Sequence, residues 1–241
     1  MTDLNELRIS PSIHEGVIER HFAVDPISRE AVDDSVISGM TDAVQNLRHG
    51  LAKAHNVAKA VLANEMQTIA ARHKQIEIEA GRITGPAISN FDKVRARALK
   101  EIELVSEQIA APPKPTDFAG HSLASEVRTR LAGMKPADRK KALDAALHDG
   151  DDIVLGAVLN GPAMLSGIAT KEEMAVLRTR WQHLRHAPEV DRINRLKAAL
   201  TDFDRAGQLA LTFSLSLANR KIIEQAEAKE RAVKDAITSA A

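Results

Sequence analysis

Apolar residues recur along most of this chain at alternating spacings of three and four, the pattern of helices that each bury one face. Met40, Val44, Leu47, Leu51, Ala54, Ala58 and Val61 form one such stripe. It then slips by a residue and resumes as Leu62, Met66, Ile69, His73, Ile76, Ala80 and Ile83, which predicts a change of packing register near Val61 and Leu62. Asp25-Pro26 offers an N-cap followed by proline at the first helical position, with Glu30, Asp33 and Asp34 near the positive end of the helix dipole. The sequence thus predicts a helix from about Pro26 to Gly81, roughly 80 Å long at 1.5 Å per residue. The stretch from Gly81 to Pro86 predicts a stop and restart. A second stripe follows, made of Ile88, Phe91, Val94, Ala98, Ile102, Val105 and Ile109, and Ala111-Pro-Pro-Lys-Pro115 ends it.

Beyond this linker the turns come more often. Helices are expected over Ser122 to Gly133, Pro136 to His148 and Asp151 to Asn160, with Gly150 capping one and Asp151 opening the next. Thr170-Lys-Glu-Glu173 has the spacing of a capping box, ahead of a helix carrying Leu177, Trp181 and Leu184. After Pro188 the stripe Ile193, Leu196, Leu200, Phe203, Gly207, Ala210, Ser214 and Leu217 predicts a further long helix, thin in its middle. From Asn219 onward the only apolar track is Ile222, Ala226, Val233 and Ile237, which suits either a solvated terminal helix or an oligomer seam. Strand patterning is scarce; Leu7 to Ile13 or Val17 to Val24 could supply one short strand.

The expected fold is therefore all-α: a long helical hairpin or coiled-coil arm, then a bundle of shorter helices with a long C-terminal helix. The boundaries fall at residues 1–25 for an extended acidic arm, 26–111 for the hairpin and 112–241 for the bundle. The 39 alanines favour helix but bury little area on a stripe, so a second layer of partner helices is expected. Two uncharged runs, Ile153 to Thr170 and Ala206 to Asn219, are too broken or too short to span a bilayer. Leu155, Val158, Leu159, Met164, Leu165 and Ile168 are expected instead to pack against the helix bearing Leu177, Trp181 and Leu184. Residues Met1 to Leu7 lack the basic and apolar regions of a signal peptide, which points to a cytoplasmic product.

Composition narrows the chemistry. No cysteine excludes thiol nucleophiles, Fe–S clusters and Cys-ligated zinc, and an aromatic content of 2% argues against stacking platforms for bases or sugars. No phosphate loop, dinucleotide fingerprint, nucleophile elbow or H-E-x-x-H helix is present, so neither a catalytic residue nor a cofactor is expected. His183 and His186 share a helix face but lack a third ligand, and no metal site is expected there. His73 sits on an apolar stripe and reads as a core or seam histidine. The basic stretch Arg178, Arg180, Arg185, Arg192, Arg195 and Lys197 is the candidate for contact with phosphate or a protein partner. A smaller cluster is Arg128, Arg130, Lys135, Arg139, Lys140 and Lys141.

Net charge is zero, but unevenly so: the chain through Asp42 holds nine acidic and three basic residues, a net of −6. Such an arm could dock on a basic surface.

The segment Gly150-Asp-Asp-Ile-Val-Leu-Gly-Ala-Val-Leu-Asn-Gly-Pro-Ala-Met-Leu-Ser-Gly167 resembles helical virion proteins of tailed bacteriophages. The resemblance implies a structural or assembly protein, a head, neck or tail component or a scaffold, made in the host cytoplasm. It would work as a symmetric oligomer among other virion proteins. The alternative is a packaging or ejection protein that meets nucleic acid through residues 178–197.

Overall fold

The computed structural model describes residues 4, 6–161 and 168–239. The fold is all-α. Nine helices occur among the described residues: α1 (Gly16–Glu19), α2 (Ser35–Leu62), α3 (Ile69–Ala110), α4 (Phe118–Ala132), α5 (Pro136–Asp149), α6 (Asp152–Leu159), α7 (Lys171–Arg185), α8 (Ala187–Ser216) and α9 (Arg220–Ser239). The strands β1 (Ala23–Val24) and β2 (Ala31–Val32) form a two-stranded antiparallel ribbon before α2, with Ala23 opposite Val32 and Val24 opposite Ala31.

The long N-terminal helix starts later and ends earlier than its stripe suggests. Asp25 does not cap it. Its carboxylate accepts the N–H groups of Ile27 and Ser28, and Arg29 adopts a left-handed φ of 62°, so this segment is the turn of the ribbon. Those two donors hold the Asp25 carboxyl below the usual carboxylate range. The N-cap of α2 is Asp34, which accepts from the N–H of Val36 at 3.0 Å.

At the other end, the one-residue slip in the stripe marks a break. α2 ends at Leu62, the Asn64 side chain accepts from the N–H of Met66, and the Thr68 hydroxyl accepts from that of Ala71 to start α3. Met66 and Ile69, expected on the stripe, are exposed.

No stop occurs between Gly81 and Pro86. α3 runs through them for 42 residues, about 63 Å. Pro86 is exposed, so the carbonyl that its missing N–H would have bonded lies on the solvent side. The buried positions Ile76, Ala80, Phe91, Ala98, Val105 and Ile109 continue one face across it. Packing of that face outweighs the lost bond.

The chain divides into two compact units, 1–101 with 195–241 and 102–194. The boundaries expected at 25/26 and 111/112 do not coincide with the limits of these units. In the first unit the thin alanine stripe of α2 finds its second layer in α3 and α8. Gly50 of α2 lets the Ala87 region of α3 come close, Phe91 of α3 stacks on Phe203 of α8 at 3.7 Å between ring centroids, and His55 of α2 meets Phe213 of α8 edge-on. Gly207 is required at this crossing: a Cβ there would lie 2.7 Å from the Phe91 ring.

The N-terminal segment is part of this core rather than an extended arm. Leu4, Ile13 and Ile18 are buried, α1 packs on α2, and the His55 Nε2–H donates to the carbonyl of Leu4 at 2.8 Å.

In the second unit the expected short helices form within a few residues of their predicted bounds. Gly150 caps α5 with φ 66°, Asp151 caps α6 through the N–H groups of Ile153 and Val154, and Thr170 and Glu173 complete the capping box of α7. Leu131, Leu147, Leu155, Val158, Leu159, Ile168, Leu177 and Trp181 share one core. Met164 and Leu165 lie outside the described residues. Leu184, expected inside, is 59% exposed because the buried face of α7 ends at Trp181. The Pro112–Pro115 linker is pinned to α6: the Asn160 side chain donates to the carbonyl of Pro113 at 2.7 Å, and Gly156 lies so close to that carbonyl that a Cβ would clash.

Candidate functional site

The basic stretch is divided between the two units. Arg178, Arg180, Arg185 and Arg192 belong to the second unit and Arg195 and Lys197 to the first. Arg178 donates to the carbonyl of Leu159 at 2.9 Å, closing the end of α6, and Arg180 pairs with Asp144 of α5 at 2.6 Å. Arg185 reaches both the Gly150 carbonyl and Asp152 at 2.5 and 2.8 Å, tying α7 to the α5–α6 turn. Arg192 and Arg195 are half-buried and engaged within the protein. Lys197 is exposed. In the smaller cluster, Arg128 donates to the carbonyl of Ala157 at 3.2 Å. Arg128, Arg178, Arg180 and Arg185 thus cap carbonyls or bridge helices.

His186 caps the end of α7 and stands edge-on to Trp181 at 5.3 Å, while His183 is exposed. Among the described residues no group of three His, Asp or Glu side chains could hold a metal ion.

A cleft of about 600 Å³ lies between α5 and α7, floored by Leu143, Ile168 and Leu177 and rimmed by charges of both signs, among them Arg139, Glu172 and the Arg180–Asp144 pair. Three basic and three acidic residues line it, Arg139, Lys140 and Arg180 with Asp144, Glu172 and Glu173, which favours no charge class of ligand.

Two features of the first unit were less legible. One is Asp202 of α8, which binds both side chains that follow α1. The Arg20 guanidinium donates to it at 2.5 Å, and His21 Nε2 lies 2.7 Å from the same oxygen. Burial pushes the Asp202 carboxyl up, yet the bonds from His21 and Arg20 outweigh it and hold the group below its ordinary value. The partners stand 182 and 181 residues apart in sequence, and nothing local links them.

The other is α9. Ile223 is buried and Ala226 half-buried, but beyond Glu230 the same heptad line continues with Val233 and Ile237, which are 57% and 66% exposed. All residues from Ala228 to Ser239 are exposed. The first half of the helix is held to α3 by Lys74 and Glu227 at 2.6 Å, assisted by Arg220 near Glu77 at 3.9 Å. The hydrogen bond and charge of Glu227 raise the Lys74 pKa, and those of Lys74 lower that of Glu227. These pairings run α9 antiparallel to α3, so its last turns pass beyond the start of α3 at Ile69. Lys234 and Glu230 at 3.0 Å support that outer half only within the helix itself.

Comparison with known proteins gives no matching family model, no matching curated protein and no matching solved structure. Among the described residues no helix is long and apolar enough to cross a membrane.

Proposed function

We propose that this chain is a non-enzymatic structural or assembly protein that works by helix-mediated oligomerisation, as a component or scaffold of a tailed-phage virion. The observation that carries the proposal is α9, whose apolar line runs from buried Ile223 out to uncovered Val233 and Ile237. A helix of about three turns has little stability of its own in water, so an overhang of that length gains from a covering partner. The virion setting comes from the likeness of residues 150–167 to helical phage proteins. A packaging or ejection role is the weaker reading, because Arg178, Arg180 and Arg185 already have partners within the chain.

Sedimentation velocity over a range of concentration and salt tests this. The expected result is self-association that persists at about 0.5 M salt, where exposed charge pairs are largely screened. It should be lost in Val233→Asp/Ile237→Asp with the melting temperature unchanged. A protein that stays monomeric at all concentrations would overturn the proposal. Binding to DNA or RNA that falls steeply with salt would favour the packaging role.

A further inference from the structure

His73 of α3 is 4% exposed and lies against the turn between α8 and α9. Its Nδ1 accepts the backbone N–H of Asn219 at 3.2 Å, and its Nε2 is buried with no partner. Asn219 is the residue that opens α9: its carbonyl receives the N–H groups of Ile222 and Ile223, and its side-chain oxygen that of Ile222. An imidazole accepting at Nδ1 must be neutral, with its proton on Nε2. A second proton could enter only at Nδ1, where it would remove the acceptor and point a donor at the Asn219 N–H.

The site offers no counter-charge for that proton. Arg72, the neighbour on α3, donates to the Leu62 carbonyl at the end of α2. Lys74 and Glu227 neutralise each other, while Arg220 is shared between Glu224 at 3.2 Å and Glu77 at 3.9 Å and so leaves one negative charge over, but neither of these carboxylates acts on the His73 ring. α8 brings no charged residue after Arg205, and Lys59, the last charge on α2, is exposed. Burial first, then the Arg72 charge, hold the imidazole below its ordinary pKa.

We propose that His73 is an acid-sensitive latch for α9: its protonation breaks the bond to Asn219 and releases the helix from α3. α9 is otherwise tied by one buried side chain, Ile223, and by exposed ion pairs that contribute little. Release would uncover Ile223 and lengthen the free apolar line to Ile223, Ala226, Val233 and Ile237. The latch concerns how α9 is held and does not depend on what α9 docks against.

The sign follows from the depressed pKa. The released state takes up the proton more readily, so the latch is closed above about pH 6.5, the ordinary histidine value, and weakens below it by up to tenfold per pH unit. Hydrogen exchange on the full-length protein, corrected for intrinsic rates, should show residues 220–239 opening as pH falls from about 7.5 to 5, with α2 still protected. In His73→Asn the amide oxygen can accept near the Nδ1 position but takes no proton, and the acid response should vanish. An equal response in that variant, or no response in the unsubstituted protein, would overturn the latch. Should the variant fail to fold, NMR titration of the unsubstituted protein decides. The His73 ring and the Asn219 amide resonances should move together, and independent titration would overturn the proposal.

Discussion

At the scale of single residues, the chain places its polar groups where they close gaps between elements, and the local ones could be read in advance. Thr170, Glu173, Gly150 and Asp151 lie beside the backbone groups they satisfy, so spacing alone identifies their roles. Asp25 and Asp34 show the limit: both precede apolar periodicity, and only the second caps a helix, because Pro26 and the left-handed Arg29 turn the chain back first. Asp202 could not be read at all, since its partners come from the far end of the sequence. It also supplies a pH test. Its carboxyl is depressed in the folded state, so its contribution is present above the unfolded Asp value of about 3.9 and is lost as pH falls through the folded value. Asp202→Asn should lower stability near neutral pH by about 1.5 kcal/mol, discounted because Arg20 is well exposed. It should also flatten the acid limb, as urea melts at several pH values would show. Stability that matches the unsubstituted protein at pH 7 would remove Asp202 from the interactions that hold α1 to α8.

At the scale of elements, periodicity found the helices but not all their ends. The slip at Val61 and Leu62 was a true signal, and its cause is the turn held by Asn64 and Thr68 rather than a shifted coil. Pro86 misleads because punctuation rules weigh local cost, whereas Ile76, Ala80, Phe91 and Ala98 continue one buried face across it within the first unit. Gly207 was legible only as a thin place on its helix. The structure shows why it is thin: the stacked rings of Phe91 and Phe203 occupy the space that a side chain would need. Gly207→Ala should therefore destabilise the first unit by about 1–3 kcal/mol, despite the higher helix propensity of alanine. Phe91→Leu in the same background should recover part of the loss. Thermal melts of the single and double variants measure the coupling, and a Gly207→Ala protein as stable as its parent would show that the helices can move apart freely.

At the scale of the whole molecule, the sequence order and the structural units disagree, and the reason is physical. An alanine-rich stripe buries too little area to hold two helices alone. The need for a second layer was visible in residues 40–61, but not that residues 195–217 of the same chain would supply it. Leu196, Ala199, Phe203, Ala206, Phe213 and Leu217 are buried in the unit that begins at the N-terminus, so that unit is built from both ends of the chain. A fragment of residues 1–111, which the proline pattern alone would mark as an independent arm, should then fail to fold. Without α8 it leaves Phe91, His55 and the alanine face of α2 uncovered, and it should keep helical circular dichroism while losing sharp NMR dispersion and cooperative melting. Adding residues 195–241 in trans should restore both, because the missing layer is then supplied at the cost of association. A cooperative melt for the 1–111 fragment alone would mean that α2 and α3 close on each other without α8, and the hairpin reading of the sequence would stand after all.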